Sequence, residues 1–421
     1  MSDVNLINNL WVILSALFVF IMTVSVGFLE VGELGKRFSN SLIKTLLITG
    51  IAIFVMAFIG FNTAFAPTIH GIIGNPFYNG LFLSGFSTNS PGILTGVWWS
   101  MTSNYFNTGL TTGTYFLFEA AFASVTLALV GVVALHKMKL KAFIIFAVIY
   151  FILIWNLPAA WIWNPTGWLY LMGVRDFAGG LVVHGAAGIA GLAIVLKIWQ
   201  EEKKKGFKIS PKVLPSINQE WLTLSILLLW VGWFGFNPGS VLAFNNEALV
   251  VVITTFLAAS TAFLSTMGFK YWETRKNPGL LYTVNGILVG LIIITPVAGF
   301  ISPASAVILG FLGGPLYIAG EKFFDKQKWF SDPVGLFPGH LLGGIFGLVM
   351  VAFFTQNAFA AVSGNSNLPN GLLFGGGFAA IQQLGLEILA VIVVGVLVFV
   401  ISYVTLWLIG LAMDGIITDY D

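Results

Sequence analysis

A chain of 421 residues with 57% hydrophobic and only 9% charged side chains cannot cover a water-exposed surface, since soluble domains carry roughly 25% charge, so lipid must be the solvent for much of it. The net charge of +2 is too small to point to a nucleic-acid partner. Cysteine is absent, which excludes disulfides, thiolate metal sites and cysteine nucleophiles.

A helix needs about 20 apolar residues to cross a bilayer. The first such core is residues 10–29. No Lys or Arg precedes it and no A-x-A cleavage pattern follows, so it reads as a retained first span rather than a signal peptide. Further cores fall at 46–66, 112–135, 142–163, 177–196, 221–236, 248–269, 280–300, 303–320, 334–354 and 388–413, making eleven in all. The sixth is short and is expected to reach back to Gln219 or forward past Pro238. Residues 67–110 are rich in Gly, Asn, Ser and Thr and read as a long external loop with a short interfacial helix around 97–105.

The 19 basic residues test this count. Lys36, Arg37 and Lys44 lie between spans one and two; Lys137, Lys139 and Lys141 between three and four. Lys197, Lys203, Lys204, Lys205, Lys208 and Lys212 lie between five and six, Lys270, Arg275 and Lys276 between seven and eight, and Lys322, Lys326 and Lys328 between nine and ten. Only Arg175 falls on the other side. Basic residues favour cytoplasmic loops, so the N-terminus is expected outside and the C-terminus inside. A twelfth span within 67–110 would spoil this alternation.

Two segments share the pattern D-x7-H-x3-G-I-x-G-L. One runs from Asp176 through His184 to Leu192, the other from Asp332 through His340 to Leu348, 156 residues or five spans later. Five is odd, so the copies cross in opposite directions, as in an inverted-topology repeat, whose sites lie near the midplane. The expected organisation is an all-α membrane protein of eleven helices forming one domain over 1–421: repeat one at 8–200, repeat two at 217–357 and a final helix at 378–413. Each Asp sits where a helix N-cap belongs, with Pro333 in the favoured first turn. Eight residues at ~1.5 Å each put each histidine ~12 Å below its cap, near the middle of a hydrocarbon core ~30 Å thick. The glycines after each histidine allow close helix packing.

A lone histidine in or beside a loop is ordinarily structural, and His70 and His136 are read that way. Ionisable groups at membrane depth usually face a polar path, so the repeat-related His184 and His340 are read as functional. Paired histidines also bind metals, but a third ligand of suitable type and spacing is missing. Glu30, Glu119 and Glu387 lie within or at the ends of spans, where structural hydrogen bonds are their ordinary use. Composition alone assigns no Phe or Trp to a pore, and the Gly-rich stretch 371–377 opens no phosphate loop.

In three segments the chain resembles the ammonium transporter family, which includes the Mep and Rhesus proteins. These are Asp176 to His184, Gly232-Trp-Phe-Gly-Phe-Asn-Pro-Gly-Ser240, and Asp332 to His340 with its glycines. The resemblance implies eleven helices in two inverted halves, a homotrimer with one pore per subunit, no cofactor and no enzymatic activity. It implies that His184 and His340 are paired pore histidines. Asp176, Trp163, Phe122 and Ser240 would recruit ammonium at the outer face, Phe122 and Phe236 would gate the pore, and Asp332 would be the repeat-related cap. The chain departs from the family pattern at Glu119, in place of glutamine, and at Gly335, in place of an acid. Trp163 is one residue further from Asp176 than in that pattern. The resemblance admits a PII-type regulatory partner, though the segment after Met413 is brief. The alternatives are an ammonium sensor with little flux, conduction of methylammonium or carbon dioxide, and an intramembrane enzyme, for which no nucleophile accompanies the His and Asp residues.

Overall fold

The computed structural model describes residues 2–34, 38–78, 80–83, 98, 108–134, 137–206, 218–327, 329, 332 and 334–418. The interfacial helix expected at 97–105 lies outside them except for Trp98, as do His136 and Pro333.

Helix α1 (Asp3–Leu34) is followed by α2 (Phe38–Val55), which continues through a π-helical turn, Met56–Gly60, into α3 (Phe61–Phe65). A hairpin of β1 (Thr68–Ile69) and β2 (Ile73–Gly74) comes next, with His70 exposed at its tip. Then come α4 (Thr112–Ala134) and α5 (Leu140–Ile149), the latter passing through Tyr150–Ile154 into α6 (Asn156–Ile162), and the short α7 (Trp168–Met172). A π turn, Gly180–Gly185, leads into α8 (Ala186–Lys204). The second half holds α9 (Gln219–Gly239), α10 (Asn246–Thr274), α11 (Gly279–Ile294) and α12 (Pro303–Asp325). A π turn, Leu336–Leu341, leads into α13 (Leu342–Phe354); α14 (Asn357–Val362) and α15 (Gly377–Ala412) follow. Among the described residues ten helical stretches are long and apolar enough to cross a bilayer, and α11 is a shorter apolar helix beside them.

Most helices outrun their apolar cores, because a helix continues through the interface after its hydrophobic stretch stops. The sixth span shows both expected extensions, from Gln219 to Gly239. The eighth departs from expectation: the core at 280–300 is helical only to Ile294. Pro296 has no N–H to continue the helix. The carbonyls of Thr295 and Pro296 instead accept the amides of Ala178 and Phe177 at 3.2 and 3.1 Å. Irregular backbone at this depth is tolerated because protein satisfies it.

Hydrogen bonds sort the loops into two ends. At one, Asn9 holds Thr111, Thr68 holds Thr166, and Arg175 reaches Asn365. At the other, Asn218 binds the Gly32 carbonyl, Lys137 pairs with Glu202, and Lys139 donates to the carbonyls of Met413, Asp414 and Gly415. The second is the lysine-rich end.

The two histidine segments share their local geometry. Gly179 and Gly335, 156 positions apart, both have left-handed backbones, φ +109° and +67°. A π turn follows each at the same offset. Neither helix starts at its Asp, as the N-cap reading expected, because the left-handed glycine delays the start to Gly180 and Leu336. The carboxylates reach forward instead. The later glycines then bring the segments together. A methyl group on Gly188 would stand 2.6 Å from Cβ of Leu341; one on Gly344 would strike the Gly180 carbonyl and come within 3.0 Å of His184 Cβ. Gly235 and Gly239 do the same for α9 against Ser15 of α1, at 2.5 and 2.6 Å.

Gly344→Ala is therefore expected to overpack the contact between the two segments. A loss on the order of 1–3 kcal/mol, seen as a lower midpoint in thermal melts of the detergent-purified protein, checks this. An unchanged midpoint would mean that the segments have room to spare.

Candidate functional site

His184 and His340 lie on the two π turns, buried. Their Nδ1 atoms are 3.1 Å apart and their ring centroids 5.1 Å. Such a contact requires one Nδ1 to donate and the other to accept, so the pair shares a hydrogen bond with at least one neutral ring. His184 Nε2 has no partner among the described residues. Both rings border a narrow cavity of about 10 Å3, otherwise walled by apolar side chains from α1, α4, α9 and α11. That is room for about one water-sized molecule.

Toward the Arg175 end aromatic rings pack over the histidine pair. Phe236 lies 5.6 Å from His184, nearly parallel to it, and 4.4 Å from Phe122. Trp163 stands edge-on to Phe122 at 6.0 Å, and its indole donates to the Asp176 carbonyl at 2.8 Å. Phe122, Phe236, Trp163 and the histidines are thus brought together. The Ser240 hydroxyl donates to the Phe236 carbonyl at 2.8 Å, which leaves its oxygen able to accept.

The two aspartates act on backbone. The Asp176 oxygens accept from the amides of Gly179, Gly180, Leu181 and Val182 at 2.7–3.0 Å. Burial pushes this carboxyl above its usual range, against the pull of those four amides. Asp332 accepts from Leu336 and Phe337 at 2.9 and 2.8 Å. Burial lifts it to about 6, opposed by the amides of Phe337, Leu336 and Val334.

The ammonium transporter family model matches residues 10–420. The chain belongs to that family. It is 30% identical over 405 residues to the ammonium transporter of Bacillus subtilis, covering 96% of this chain and 92% of that protein. It is 30% identical over 415 residues to the ammonium transporter of Aquifex aeolicus, covering 97% and 89%. Among solved structures, Saccharomyces cerevisiae Mep2 superposes with a TM-score of 0.80 at 25% identity, covering 99% of this chain and 91% of that one. A protein titled Sensor Amt Protein superposes with a TM-score of 0.82 at 25% identity, covering 99% and 96%.

This ammonium transporter family member has residues around the histidine pair that motif reading passed over. Trp233 stacks on His184 at 5.8 Å and donates to the Thr295 hydroxyl at 3.3 Å, which in turn donates to Asn237. Met22, Val26 and Leu29 of α1 line the cavity. Helical period carries the missing signal: Trp233 is three residues before Phe236, and Val125 and Leu129 of the lining follow Phe122 at i+3 and i+7. The in-span acids have the structural uses expected of them. Glu30 pairs with Lys44, Glu119 bonds Tyr115, and Glu387 accepts from the Arg175 amide and Gln383.

Asp176→Ala would orphan four buried amides, each costing about 1–3 kcal/mol when unsatisfied. The expected outcome is a strong loss of thermal stability, with Asp176→Asn in between because its amide oxygen can still accept. Equal melting points for the Ala and Asn variants would show that capping is not what holds this segment.

Proposed function

We propose that this protein moves ammonium across the plasma membrane as a multi-pass transporter. In this reading ammonium is recruited at the Arg175 end, deprotonated there, and passed as ammonia along the histidine-lined conduit. The observation that carries it is the imidazole pair, 3.1 Å apart within an otherwise apolar passage. The likeness to proteins named ammonium transporters supports the choice of solute, and the role is transport rather than catalysis.

The chemistry follows from what each wall can offer. Phe122 and Trp163, at 79° to one another, present two aromatic surfaces to an arriving cation. Cation–π attraction there is worth ~0.5–2 kcal/mol, and the Ser240 oxygen adds an acceptor. The Asp176 oxygens are engaged by backbone, so this acid serves by holding the segment and by its field rather than as a direct ligand. These attractions concentrate the ion but do not carry it through. Taking an unpaired cation into the dry conduit costs on the order of tens of kcal/mol in the idealised limit. Giving up the proton to water at the Arg175 mouth removes most of that cost. Potassium has no proton to give, so the same passage excludes it. Past the Phe122–Phe236 pair, the imidazoles offer one donor and one acceptor to the neutral molecule.

The N-terminus is placed outside and the lysine-rich end in the cytoplasm, following the basic loops. Residues 8–200 and 217–357 are the inverted repeats, with 378–413 as an added helix. Three copies assemble, each with its own conduit. A PII-type protein is the regulatory partner this reading admits at the cytoplasmic face, where Lys139 and Glu201 hold residues 413–417. The second reading, a sensor with little flux, is favoured by the likeness to the protein titled Sensor Amt Protein.

Flux separates the two. In liposomes the wild-type protein is expected to carry ammonium and to exclude potassium. Replacing His184 and His340 together by Ala is expected to lower the ammonium rate by roughly tenfold or more, as lost hydrogen bonds imply, or to admit potassium. If rate and potassium exclusion both survive the double substitution, the role given to the histidine pair is wrong. A wild-type protein without flux favours the sensor. Native mass spectrometry of the detergent-solubilised protein is expected to give three copies, and a monomer alone would remove the trimer from the proposal.

A further inference from the structure

The break in α11 stands between the two histidine segments. A methyl group on Gly180 would lie 2.6 Å from Pro296 Cγ. One on Gly347 would lie 2.5 Å from the Ile293 carbonyl and 2.8 Å from Pro296 Cγ. Residues 293–296 therefore touch the turn that carries His184 and the helix that follows His340. Thr295 is the polar side chain at this junction, and it is fully buried. Its carbonyl accepts the Ala178 amide at 3.2 Å, on the approach to His184. Its hydroxyl accepts from Trp233 Nε1 at 3.3 Å.

Trp233 is one of the two rings that lie over His184, its centroid 5.8 Å away and its plane 18° from parallel. Among the described residues His340 meets no ring but that of His184, so the pair is clamped on one side only. An indole N–H donates and does not accept, so its bond fixes how the ring is turned. Burial alone does not enforce such a bond in this protein: Nε1 of Trp155 and of Trp230 have no partner among the described residues. The Thr295 hydroxyl proton has two acceptors in reach, the Leu291 carbonyl at 2.8 Å and Asn237 Oδ1 at 3.1 Å. That leaves the oxygen free to accept from the indole. Asn237 in turn donates to Thr255 Oγ1 at 3.1 Å. The chain of side chains thus runs from α10 to the ring over His184.

We infer that Thr295 is a positioning residue for the histidine pair. Its carbonyl holds the backbone that leads to His184, and its hydroxyl holds the Trp233 ring that sets the His184 plane. One residue therefore aligns His184 Nδ1 on His340 from two sides. The inference rests on the transport reading above for its flux readout only. Without the hydroxyl, Trp233 Nε1 is a buried donor with nothing to bond, and the indole is free to turn away from the imidazole.

Thr295→Val removes the hydroxyl and keeps the backbone carbonyl, whereas Thr295→Ser keeps both. In vesicles the valine variant is expected to lose about five- to tenfold in ammonium flux, as one lost hydrogen bond and one orphaned donor imply. The serine variant should recover most of it. Trp233→Phe keeps a ring without a donor, so adding Thr295→Val to it should cost nothing further. A valine variant as fast as the wild type, or losses that multiply in the double variant, would overturn the inference. The chain has only four histidines, so their side-chain nitrogen resonances, read by solid-state NMR in bilayers, give a second measurement. Thr295→Val is expected to shift the resonances of the hydrogen-bonded pair and Thr295→Ser to return them; pair resonances unmoved by the valine also overturn the positioning role. Should the valine variant fail to fold, Thr295→Cys takes its place, because a thiol is only a weak acceptor. Its flux and pair resonances should fall short of those of the serine variant, and equality of the two overturns the inference. A wild-type protein without flux would remove the transport reading, while the nitrogen resonances still decide the role of Thr295.

Discussion

The contact between two imidazole nitrogens, 3.1 Å apart, sets the terms for the rest of the molecule. Two polar rings held in an otherwise apolar cavity must satisfy one another, and that requires the helices carrying them to begin inside the protein. Each segment meets the demand in the same way. A left-handed glycine turns the chain, an aspartate accepts the first helical amides, a π turn aims the ring, and glycines beyond it let the partner segment approach. Trp233 and Phe236 then lie nearly parallel to the His184 ring and fix its plane.

Lipid as solvent imposes the second constraint. Polar groups inside it must find partners within the chain, and the accounting is visible where helices break. The carbonyls freed at Thr295 and Pro296 take the amides of Ala178 and Phe177. The break in α11 and the start of the His184 segment thus solve each other's problem. Of the two orphaned elements, neither would be stable at this depth without the other.

Much of this was legible in the residues. The apolar helices, the paired D-x7-H pattern and the grouping of basic residues follow from hydropathy, repetition and charge, which are local properties of the string; of the eleven expected spans, ten are long apolar helices among the described residues and α11 is a shorter one. Phe122, Phe236 and Trp163 were placed by resemblance, and their rings do meet in the structure. What escaped reading depends on three-dimensional neighbours. The true helix starts at Gly180 and Leu336 were hidden because Asp176 and Asp332 look like ordinary caps, and only the left-handed glycines reveal the offset. The end of α11 at Ile294 was hidden because the residues after Pro296 remain apolar. Met22, Val26 and Leu29 carry no motif, and as apolar side chains in an apolar helix they are marked as walls of the histidine cavity only by what stands opposite them.

A nitrogen-to-nitrogen contact between like rings cannot itself be symmetric. The scaffold repeats, with its glycines, turns and caps at matching offsets, yet a single shared hydrogen must reside on one ring or the other. Two arrangements of equal heavy-atom geometry therefore exist, differing only in which imidazole is the giver. For neutral rings the exchange takes two protons, one crossing between the Nδ1 atoms and one passing from the outer Nε2 of one ring to that of the other, and it requires no helix to shift, so the polarity of the pair can be reversed while the walls stand still.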